Sequence, residues 1–380
     1  MKKREFIRNL IAGAGGMTVF LPGKRSVARS FQYLSAMSAS APQKKYFKEA
    51  YHYEINDSDV QCLLCPNACY LRPGKTGSCR NRINQDGKLM TKAYGNPCAV
   101  HVDPVEKKPL LHFLPNSRAF SIATAGCVLS CLNCQNWDIS QTSPDNTDNT
   151  ELMPTAVVQA CLDNQCESIA YTYSEPTSWY EYAFDTAKLA RMKGIKNLWI
   201  SCGYINEKPL REIAPYLDAA NINLKSFSDE IYQKLNGGAL EPILRTLKIL
   251  KEMGVWLEIT NLVVPTWTDD LDMIRRMCQW LVKEGFADNP LHFNRFFPLY
   301  KLTQLPATPS LFLDQARAAA MEEGMRYVYV GNVPGSEYQD TYCPECKKKI
   351  IDRAGYRLVT LHMQNGQCKY CGQKIAGVWS

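Results

Sequence analysis

The sequence lacks any dense run of basic residues interleaved with aromatic ones. Its net charge of +7 over 380 residues is mild, and a solvated surface accounts for it better than a nucleic-acid-binding patch does. The N-terminal apolar stretch, residues 10–21, is too short and too rich in glycine to span a bilayer. These absences disfavour a nucleic-acid-binding protein and a stable membrane span.

The first residues do have features of an export signal. A basic segment, residues 1–8, precedes the apolar stretch, and Lys3-Arg4 resembles a twin-arginine motif in which lysine replaces one arginine. The alternative is a disordered cytoplasmic tail. Residues 1–45 are therefore treated as a signal-like or disordered N-terminus with its tether, and they do not enter the fold prediction.

Cysteine is abundant, with 16 residues, and 11 of them form three clusters at metal-ligand spacings. Such clustering is typical of metal sites rather than of a disulfide framework, and it favours a reducing compartment. The remaining five are scattered and are predicted to be buried or spare thiols: Cys98, Cys161, Cys166, Cys202 and Cys278.

Residues 116–335 alternate between short apolar runs and helical patterns. The candidate strands are 120–124, 168–173, 198–201, 222–225, 256–264, 291–296 and 327–330. The candidate helices are 155–165, 179–192, 209–217, 242–253, 271–284 and 310–323. This alternation predicts an α/β fold with a parallel sheet, and too few units for a full eight-stranded barrel favour a partial (β/α)6-type barrel. A Cys-rich N-terminal segment (46–115) precedes it, and a zinc-ribbon tail (336–380) follows.

The central cluster is the loop with Cys127, Cys131 and Cys134, which follows the first candidate strand. Thiolates at spacings of four and three residues can hold three irons of one [4Fe-4S] cluster. The loop has no fourth cysteine, so one iron would stay open to another molecule. In parallel α/β folds such a loop lies at the carboxyl end of the strands, where chemistry takes place.

Two further clusters are predicted to be structural. The first combines C-x2-C-x3-C with a more distant cysteine, and either zinc or an iron–sulfur centre is compatible with it. Its ligands would be Cys62, Cys65, Cys69 and Cys79. The second consists of two C-x2-C pairs and favours a zinc ribbon, with a rubredoxin-like iron centre as the alternative. Its ligands would be Cys343, Cys346, Cys368 and Cys371.

The C-x3-C-x2-C loop after a strand resembles the radical S-adenosylmethionine (SAM) superfamily. The resemblance implies a radical SAM TIM barrel in which SAM chelates the open iron through its amino and carboxylate groups. One electron from the cluster then cleaves SAM to methionine and a 5′-deoxyadenosyl radical, which abstracts hydrogen from a substrate. An electron donor such as flavodoxin or ferredoxin is also implied.

The chain resembles, more narrowly, the radical SAM enzyme of the AmmeMemoRadiSam system. Several segments match that family: 106–115, 124–127, 134–141, 170–176, 223–229, 295–301 and 327–335. Together with the terminal cysteine clusters, the likeness covers about residues 53–379. The family is related to glycyl-radical and pyruvate formate-lyase activating enzymes, and Memo-type and Ammecr-type proteins are its implied partners.

The resemblance also implies individual SAM contacts. Ser174 and Glu175 occupy the place of the superfamily's Gly-Gly-Glu-Pro motif, whose carbonyl and carboxylate accept from the SAM amino group. Glu175 could equally cap a helix, since Pro176 can begin one. Ser201 matches the Ser of a Ser-Asn-Gly motif, in which Cys202 replaces Asn. The other matched or candidate contacts are Asn223 (Asp in activases), Lys225, His292, Arg295 and Tyr300.

Three functions follow as hypotheses. The first is a radical SAM oxidoreductase acting on an unidentified substrate, and the second is an activase that installs a glycyl radical on a partner. The third is a metal-binding scaffold without catalysis. The supply of SAM and of low-potential electrons favours the cytoplasm, although the N-terminus leaves export open.

Overall fold

The structure is a computed structural model that describes residues 44–380. The predicted export signal and almost all of the tether therefore lie outside the described residues. Within residues 44–380, no helix combines the length and the apolar character needed to cross a membrane.

Two small antiparallel sheets form the N-terminal segment. Their strands are β1 (Lys48–Glu49), β2 (Tyr53–Asn56), β3 (Asp59–Cys62), β4 (Tyr70–Leu71), β5 (Arg82–Gln85) and β6 (Lys88–Thr91). One sheet has the order β1-β6-β5 and the other β2-β3-β4. All four cysteines of the first cluster lie in β3 or in the turns between β3 and β5, so this short segment brings them into one neighbourhood.

The central sheet has eight strands in sequential order. They are β7 (Ala99–Pro104), β8 (Arg118–Ala123), β9 (Ser168–Tyr171), β10 (Lys196–Ser201), β11 (Ala219–Asn223), β12 (Trp256–Val263), β13 (Leu291–Arg295) and β14 (Val328–Gly331). Strands β8 to β14 are parallel, whereas β7 is antiparallel to β8. Six strand–helix units followed by the last strand confirm the predicted α/β class.

Among residues 44–380, eight α-helices connect or flank these strands. They are α1 (Trp137–Ser140), α2 (Pro154–Asp163), α3 (Tyr180–Met192), α4 (Glu207–Ile213), α5 (Asp229–Ile231), α6 (Glu241–Glu252), α7 (Leu271–Lys283) and α8 (Ser310–Glu322). Every candidate strand and helix of the sequence analysis is present, with shifts of a few residues at the ends. The largest shift is in α4, which ends at Ile213 because a 3-10 turn containing Pro215 follows.

Helix α7 illustrates how the sequence produces these elements. The Asp270 carboxylate caps its start by accepting from the backbone N–H groups of Asp272 (2.9 Å) and Met273 (3.1 Å). Its buried side chains recur at helical spacing and face the sheet: Met273, Ile274, Met277, Cys278 and Leu281. The parallel strands are in turn nearly continuous buried runs, as in β9, because helices cover the sheet.

The edge strand β7 is absent from the sequence-based prediction. No candidate strand precedes residue 120 there, yet Ala99–Pro104 pairs in register with the whole of β8. Pro104 is the last residue of β7, and an edge strand tolerates proline because one side of its backbone needs no partner. Exposed polar residues such as His101 weaken the apolar signal of this strand.

The C-terminal segment packs against the amino end of the sheet. It consists of β15 (Thr341–Tyr342), β16 (Lys349–Ala354), β17 (Arg357–Leu361), β18 (Met363–Gln364) and β19 (Gln367–Cys368). The buried Arg353 guanidinium donates to the Leu111 carbonyl at 2.9 Å. His112 Nδ1 lies 2.6 Å from the Ala376 carbonyl and Val378 N donates to the His112 carbonyl at 2.8 Å. His112 is thus a hydrogen-bonding residue that joins this segment to the sheet.

Candidate active site

The loop of residues 127–134 lies between β8 and α1, at the carboxyl end of the sheet. A turn after β11 holds its backbone from the opposite side. The N–H groups of Ser130 and Leu132 donate to the carbonyl oxygens of Asn236 and Leu235, each at 2.9 Å. The loop is therefore braced at two points, which limits the positions available to its three cysteines.

Cys131 of this loop is buried, and Cys127 and Cys134 are partly buried. Burial raises the pKa of the Cys127 thiol, and the charges of Glu175 and Cys131 raise it further. Burial also raises the pKa of Cys134, where Cys131 is again the nearest like charge. The Asn236 side-chain amide donates to Cys131 Sγ at 3.3 Å. Such thiols ionise when a cation ligates them, because coordination removes the cost of the buried negative charge.

Glu175 connects the ends of β9 and β10. One carboxylate oxygen accepts from Ser201 Oγ at 2.7 Å and from the Thr177 N–H at 3.1 Å, and the other accepts from the Cys202 N–H at 2.7 Å. The contact with Thr177 is the helix-cap role considered from the sequence. The carboxylate is only 4% exposed as a residue and retains acceptor capacity, because its two oxygens offer about four lone pairs.

The segment before Glu175 has an unusual backbone. Tyr173 adopts a left-handed φ of 63°, which is uncommon for a bulky residue. Its carbonyl accepts from the Asn136 side chain at 2.8 Å, and the Ser174 hydroxyl donates to the Thr124 carbonyl at 2.6 Å. Strain of this kind persists where neighbouring contacts enforce it, and it concentrates at functional sites.

Lys225 brings a positive charge to the cysteine loop. Burial alone would lower the pKa of its ammonium, but the nearby thiols of Cys131 and Cys202 outweigh burial and raise that pKa. No described residue accepts a hydrogen bond from Lys225 Nζ, although its backbone N–H donates to Tyr232 Oη at 2.8 Å. A protonated, unpaired amine beside three thiols suits a ligand that carries a carboxylate.

Asn223 and Cys202 complete this group. The Asn223 side chain donates to the Ser201 carbonyl at 3.2 Å, which places it beside the end of β10. Burial raises the pKa of Cys202, and the charges of Glu175 and Cys127 add to the effect. The sequence places Cys202 among the scattered, spare thiols, whereas the structure brings it into the site. Its place within the Ser-Asn-Gly motif was the signal in the sequence.

His292 is a candidate that the structure does not bring to the cysteine loop. It is the second residue of β13, at the amino end of the sheet, and it is 2% exposed. Its Nε2 lies 2.7 Å from the Glu258 carboxylate, which also accepts from the backbone N–H of His112 at 2.8 Å. Its ring stacks on Tyr329 with 5.3 Å between centroids. These contacts make it part of the buried network beneath the sheet.

Aromatic side chains flank the cysteine loop on its exposed side. Trp137, which is 44% exposed, stacks on Tyr300 with 5.4 Å between ring centroids and 13° between planes. The Lys301 N–H donates to the Leu132 carbonyl at 3.1 Å, so the segment after β13 contacts the loop directly. Arg295 points elsewhere in this segment, with its Nε donating to the Thr308 carbonyl at 2.8 Å.

The C-terminal cysteines form a compact metal-binding group. The sulfurs of Cys343, Cys346, Cys368 and Cys371 all lie within 4.8 Å of one another. Cys343 Sγ is 3.6 Å from Cys371 Sγ, and Cys346 Sγ is 3.8 Å from Cys368 Sγ. Four sulfurs at about 2.3 Å from one tetrahedral ion would lie about 3.8 Å apart. The donor set therefore fits a single ion.

The N-terminal cysteines line one cavity of the chain. Cys62, Cys65 and Cys79 are buried, whereas Cys69 is partly exposed. All four line the same small cavity, together with the side chains of Arg82 and other residues. The predicted grouping of these four cysteines agrees with this arrangement.

Comparison with known proteins gives three sequence findings. Residues 121–278 match the family model of the Radical SAM superfamily. The uncharacterized protein MJ0808 of Methanocaldococcus jannaschii is 43% identical over 331 residues, which cover 86% of this chain and 98% of that protein. The pyruvate formate-lyase 1-activating enzyme of Escherichia coli K12 is 26% identical over 156 residues, 40% of this chain and 63% of that enzyme. This chain thus spans less than two thirds of the activating enzyme's length.

Solved structures show more distant likenesses. A domain of a pyruvate-formate lyase-activating enzyme from Bacteroides vulgatus aligns with a TM-score of 0.37 and 15% identity, over 43% of this chain and 99% of that one. SuiB of Streptococcus suis bound to S-adenosylmethionine aligns with a TM-score of 0.46 and 12% identity, over 60% of this chain and 53% of SuiB.

Proposed function

This chain belongs to the radical SAM superfamily and is a radical SAM enzyme, and from that premise we propose that Cys127, Cys131 and Cys134 hold its [4Fe-4S] cluster. The observation that carries the proposal is that the three thiols lie on one braced loop, with the Glu175 carboxylate within electrostatic reach of Cys127 and the Lys225 ammonium within electrostatic reach of all three. Three thiolates bind three irons, so the fourth iron stays open to SAM.

Glu175 is the proposed acceptor for the SAM amino group, together with the Ser174 carbonyl. Ser201 and the Cys202 N–H already orient the carboxylate, each at 2.7 Å, so little reorganisation is needed when SAM binds. A hydrogen bond between an ammonium and a carboxylate is stronger than one between neutral groups. Ser201 thus acts as a positioning residue for Glu175.

Lys225 and Asn223 are the proposed partners of the other polar parts of SAM. The ammonium of Lys225 lacks an acceptor among the described residues and would pair with the SAM carboxylate. The Asn223 amide, held near the end of β10, can bond the ribose or the carboxylate without adding charge. Activases carry Asp at this position, so the charge around SAM would differ here.

The cluster and SAM, when bound, supply reductive cleavage that yields a radical able to take hydrogen from a substrate. The chain itself holds the ligands and excludes water, as the burial of Cys131, Glu175 and Cys202 indicates. The reaction consumes one electron, for which a reductant such as flavodoxin or ferredoxin is the proposed source. Action in the cytoplasm fits the supply of both SAM and such donors.

We further propose that the chain is the radical SAM enzyme of the AmmeMemoRadiSam system and that its substrate is still to be identified. The segments quoted from the sequence, with the cysteine clusters at both ends, support this assignment. Memo-type and Ammecr-type proteins are the proposed partners. A metabolite comparison of cells with and without the protein would identify compounds that accumulate or disappear.

A glycyl-radical activase is the second candidate function. The partial similarity to the pyruvate formate-lyase 1-activating enzyme, 26% over 156 residues, favours it. Both candidates consume SAM in the same way and differ only in what loses hydrogen. A glycine-centred radical on a co-incubated partner protein would select the activase, and its absence during active SAM cleavage would select the oxidoreductase.

The four C-terminal cysteines are proposed to hold zinc. The sulfur separations of 3.6 and 3.8 Å support a single tetrahedral ion. Burial opposes ionisation of Cys368, but the backbone N–H groups of Tyr370 and Cys371 outweigh it and lower the pKa of that thiol to about 7. Metal analysis of purified protein distinguishes zinc from the mononuclear iron of a rubredoxin-like centre.

Formation of 5′-deoxyadenosine tests the enzymatic proposal. Protein purified without oxygen, supplied with dithionite and SAM, is expected to release 5′-deoxyadenosine, and Cys131→Ala is expected to abolish it. Cys161→Ala is the matched control, because Cys161 is equally buried but lies in α2, outside the three clusters. Absence of 5′-deoxyadenosine from wild type and the control alike would favour a metal-binding scaffold without catalysis, whereas equal release by Cys131→Ala and the control would contradict the proposed role of Cys131.

A further inference from the structure

The four N-terminal cysteines are held around a cavity by the turns that carry them. The Cys62 N–H donates to the Cys69 carbonyl at 3.0 Å, and the Ala68 N–H donates to the Cys65 carbonyl at 3.1 Å. Cys79 approaches from the turn before β5 and is also buried. The four cysteines thus line one small space from the end of β3 and from the two turns that follow it, as the ligands of an inorganic centre do.

The spacing of these sulfurs does not fit a single metal ion. Four thiolates around one tetrahedral ion lie about 3.8 Å apart. Among the described residues, the C-terminal cysteines are the only group of three or more potential ligands whose atoms all lie within 4.8 Å of one another. Any three of the four N-terminal sulfurs therefore include at least one pair that is more than 4.8 Å apart.

Leucine side chains enclose the space that these cysteines line. Leu64 and Leu71 are buried and line it together with the four cysteines. An apolar surround of this kind limits the access of water to a bound centre.

The sulfur spacing of the N-terminal cysteines can be compared with that of the two other cysteine groups of the chain. Cys343 and its three partners represent the compact spacing expected of one ion. The central loop behaves differently. Its three thiols, Cys127, Cys131 and Cys134, are proposed to hold a [4Fe-4S] cluster, and among the described residues they do not form a group whose sulfurs all lie within 4.8 Å of one another. The N-terminal cysteines share the open spacing of the second group.

Arg82 supplies hydrogen-bond donors at this cavity. Its fully buried guanidinium lines the cavity, and Nη1 donates to Cys62 Sγ at 3.4 Å. Its charge is balanced by a buried ion pair with Glu181. Nε is buried and finds no acceptor among the described residues. An unused buried donor is costly, and the sulfurs of an iron–sulfur cluster accept hydrogen bonds of this kind.

The cavity lies directly against the central cysteine loop. Val128, the residue after Cys127, lines it. The Asn67 side chain donates to the Val128 carbonyl at 2.7 Å. On the same side, a Cβ on Gly126 would come within 2.6 Å of the Cys79 carbonyl oxygen. The backbones that carry the two sets of thiols are therefore in contact, while Cys69 faces partly outward.

We propose that Cys62, Cys65, Cys69 and Cys79 bind a second [4Fe-4S] cluster, which receives single electrons at the surface and passes them to the cluster at Cys127, Cys131 and Cys134. A donor of the flavodoxin or ferredoxin class loses one electron, and the second cluster goes from the 2+ to the 1+ state. It returns to 2+ when the first cluster is reduced, and no proton or bond changes. The transfer rests on the proposed function; the binding of the cluster does not.

The iron and sulfide content of the whole reconstituted protein tests whether the N-terminal cysteines bind a second cluster. Wild type is expected to contain about eight iron and eight sulfide per chain, in addition to the metal at the C-terminal cysteines. The triple variant Cys127→Ala, Cys131→Ala, Cys134→Ala is expected to keep about four of each, with a reduced-state EPR signal that SAM does not change. Complete loss of sulfide from this variant, or zinc in place of the remaining iron, would overturn the proposal.

The complementary variant tests the transfer. Cys62→Ala, Cys65→Ala is expected to keep about four iron, whose EPR signal responds to SAM. Its formation of 5′-deoxyadenosine should persist with dithionite but fall at least tenfold with reduced flavodoxin, relative to wild type and Cys161→Ala. Equal rates with flavodoxin would contradict the relay. If this variant does not fold, the spin count of fully reduced wild type decides, with about two spins per chain expected and one spin refuting the second cluster.

Discussion

Glu175 is the residue on which the polar side of the site depends most. It joins the ends of β9 and β10 through Ser201 and the Cys202 N–H, and it lies within electrostatic reach of Cys127. A change at this position is therefore expected to alter both the position of the β10 end and the charge that is proposed to bind the SAM amino group.

Replacement of Glu175 by Gln is expected to weaken SAM binding about 10- to 100-fold. The variant loses a charge-assisted hydrogen bond, which contributes roughly 1.5–3 kcal/mol. Equilibrium binding of SAM to the oxidised, reconstituted protein measures the effect. Glu207→Gln is the control, because Glu207 is an exposed carboxylate on α4 that pairs with Arg211 at 2.7 Å. Equal dissociation constants for the two variants would refute the role of Glu175.

The buried imidazole of His112 is expected to make the free energy of unfolding depend on pH. Burial lowers the pKa of its imidazole from 6.5 to about 4, although Glu258 opposes this. The folded protein therefore binds fewer protons than the unfolded chain between these values, and the free energy of unfolding falls as the pH decreases from about 6.5 to about 4. The loss is on the order of 3 kcal/mol. The carboxylate of Glu258, whose pKa is lowered from 4.5, adds a loss in the same direction at lower pH.

Urea unfolding between pH 4 and 7 measures this dependence. His112→Gln retains a side chain that can bond the Ala376 carbonyl but cannot titrate, so its unfolding free energy is expected to vary less with pH. His101→Gln provides the comparison at an exposed histidine on β7. If both variants keep the slope of the wild type, His112 is not the source of the pH dependence.

At the scale of elements, the loop after β8 depends on a glycine. Gly126 has a φ of 99°, and a Cβ there would meet the Cys79 carbonyl oxygen and the Asn81 side chain, each at 2.6 Å. Gly126→Ala is therefore expected to destabilise the protein by several kcal/mol, about 2 or more beyond the backbone strain alone. The loop and the N-terminal turns would have to move apart.

Gly74→Ala is the matched comparison for this prediction. Gly74 also has a positive φ, 75°, but a Cβ added to it would meet no atom within 4 Å. Its substitution should cost only the backbone strain, roughly 1 kcal/mol. Thermal or urea unfolding and the iron content of both variants measure the difference, and equal losses would show that the close contact at Gly126 is unimportant.

The C-terminal strands are expected to depend on the metal proposed for their four cysteines. Cys346→Ala is expected to release the metal and destabilise β15 to β19 by several kcal/mol, because the buried side chains of this segment form one small cluster that includes Cys343 and Cys368. Hydrogen exchange should increase over residues 341–371, and the iron bound at the central loop should remain. Lys347→Ala, at an exposed neighbouring position, is the control. Unchanged exchange in Cys346→Ala would mean that packing alone orders the segment.

The sequence was sufficient for elements whose signal is local. Strands such as β9 are continuous apolar runs, and the spacing of the C-terminal cysteines predicts a group whose sulfurs do lie together in the structure. Strand β7 was not predicted, because an edge strand needs no continuous apolar run and because this one ends in proline.

The position of a side chain along its strand was harder to predict from the sequence. His292 was expected near SAM because it is close to a strand end, but it belongs to the amino end, where Glu258 bonds it. Only the length and register of β13 distinguish the two ends. Cys202 appeared isolated in sequence because its neighbours, Glu175 and Cys127, come from other strand ends.

At the scale of the whole molecule, three cysteine groups lie at different places around one sheet. The central loop is at the carboxyl ends of the strands, and the N-terminal cavity contacts it through Val128 and Gly126. The C-terminal group belongs to the segment that covers the amino end through Arg353 and His112. The central claim is that the three cysteines of the central loop hold a [4Fe-4S] cluster with one iron free for SAM.

Electron–nuclear double resonance on the reduced protein tests this claim most directly. SAM labelled with ¹⁵N at its amino group is added to the protein whose Cys62→Ala, Cys65→Ala substitutions leave the central cysteines intact, and to wild type. We predict a ¹⁵N hyperfine coupling to the cluster in both proteins, and none in Cys131→Ala. A reduced [4Fe-4S] cluster that shows no coupling to bound, labelled SAM would contradict the account.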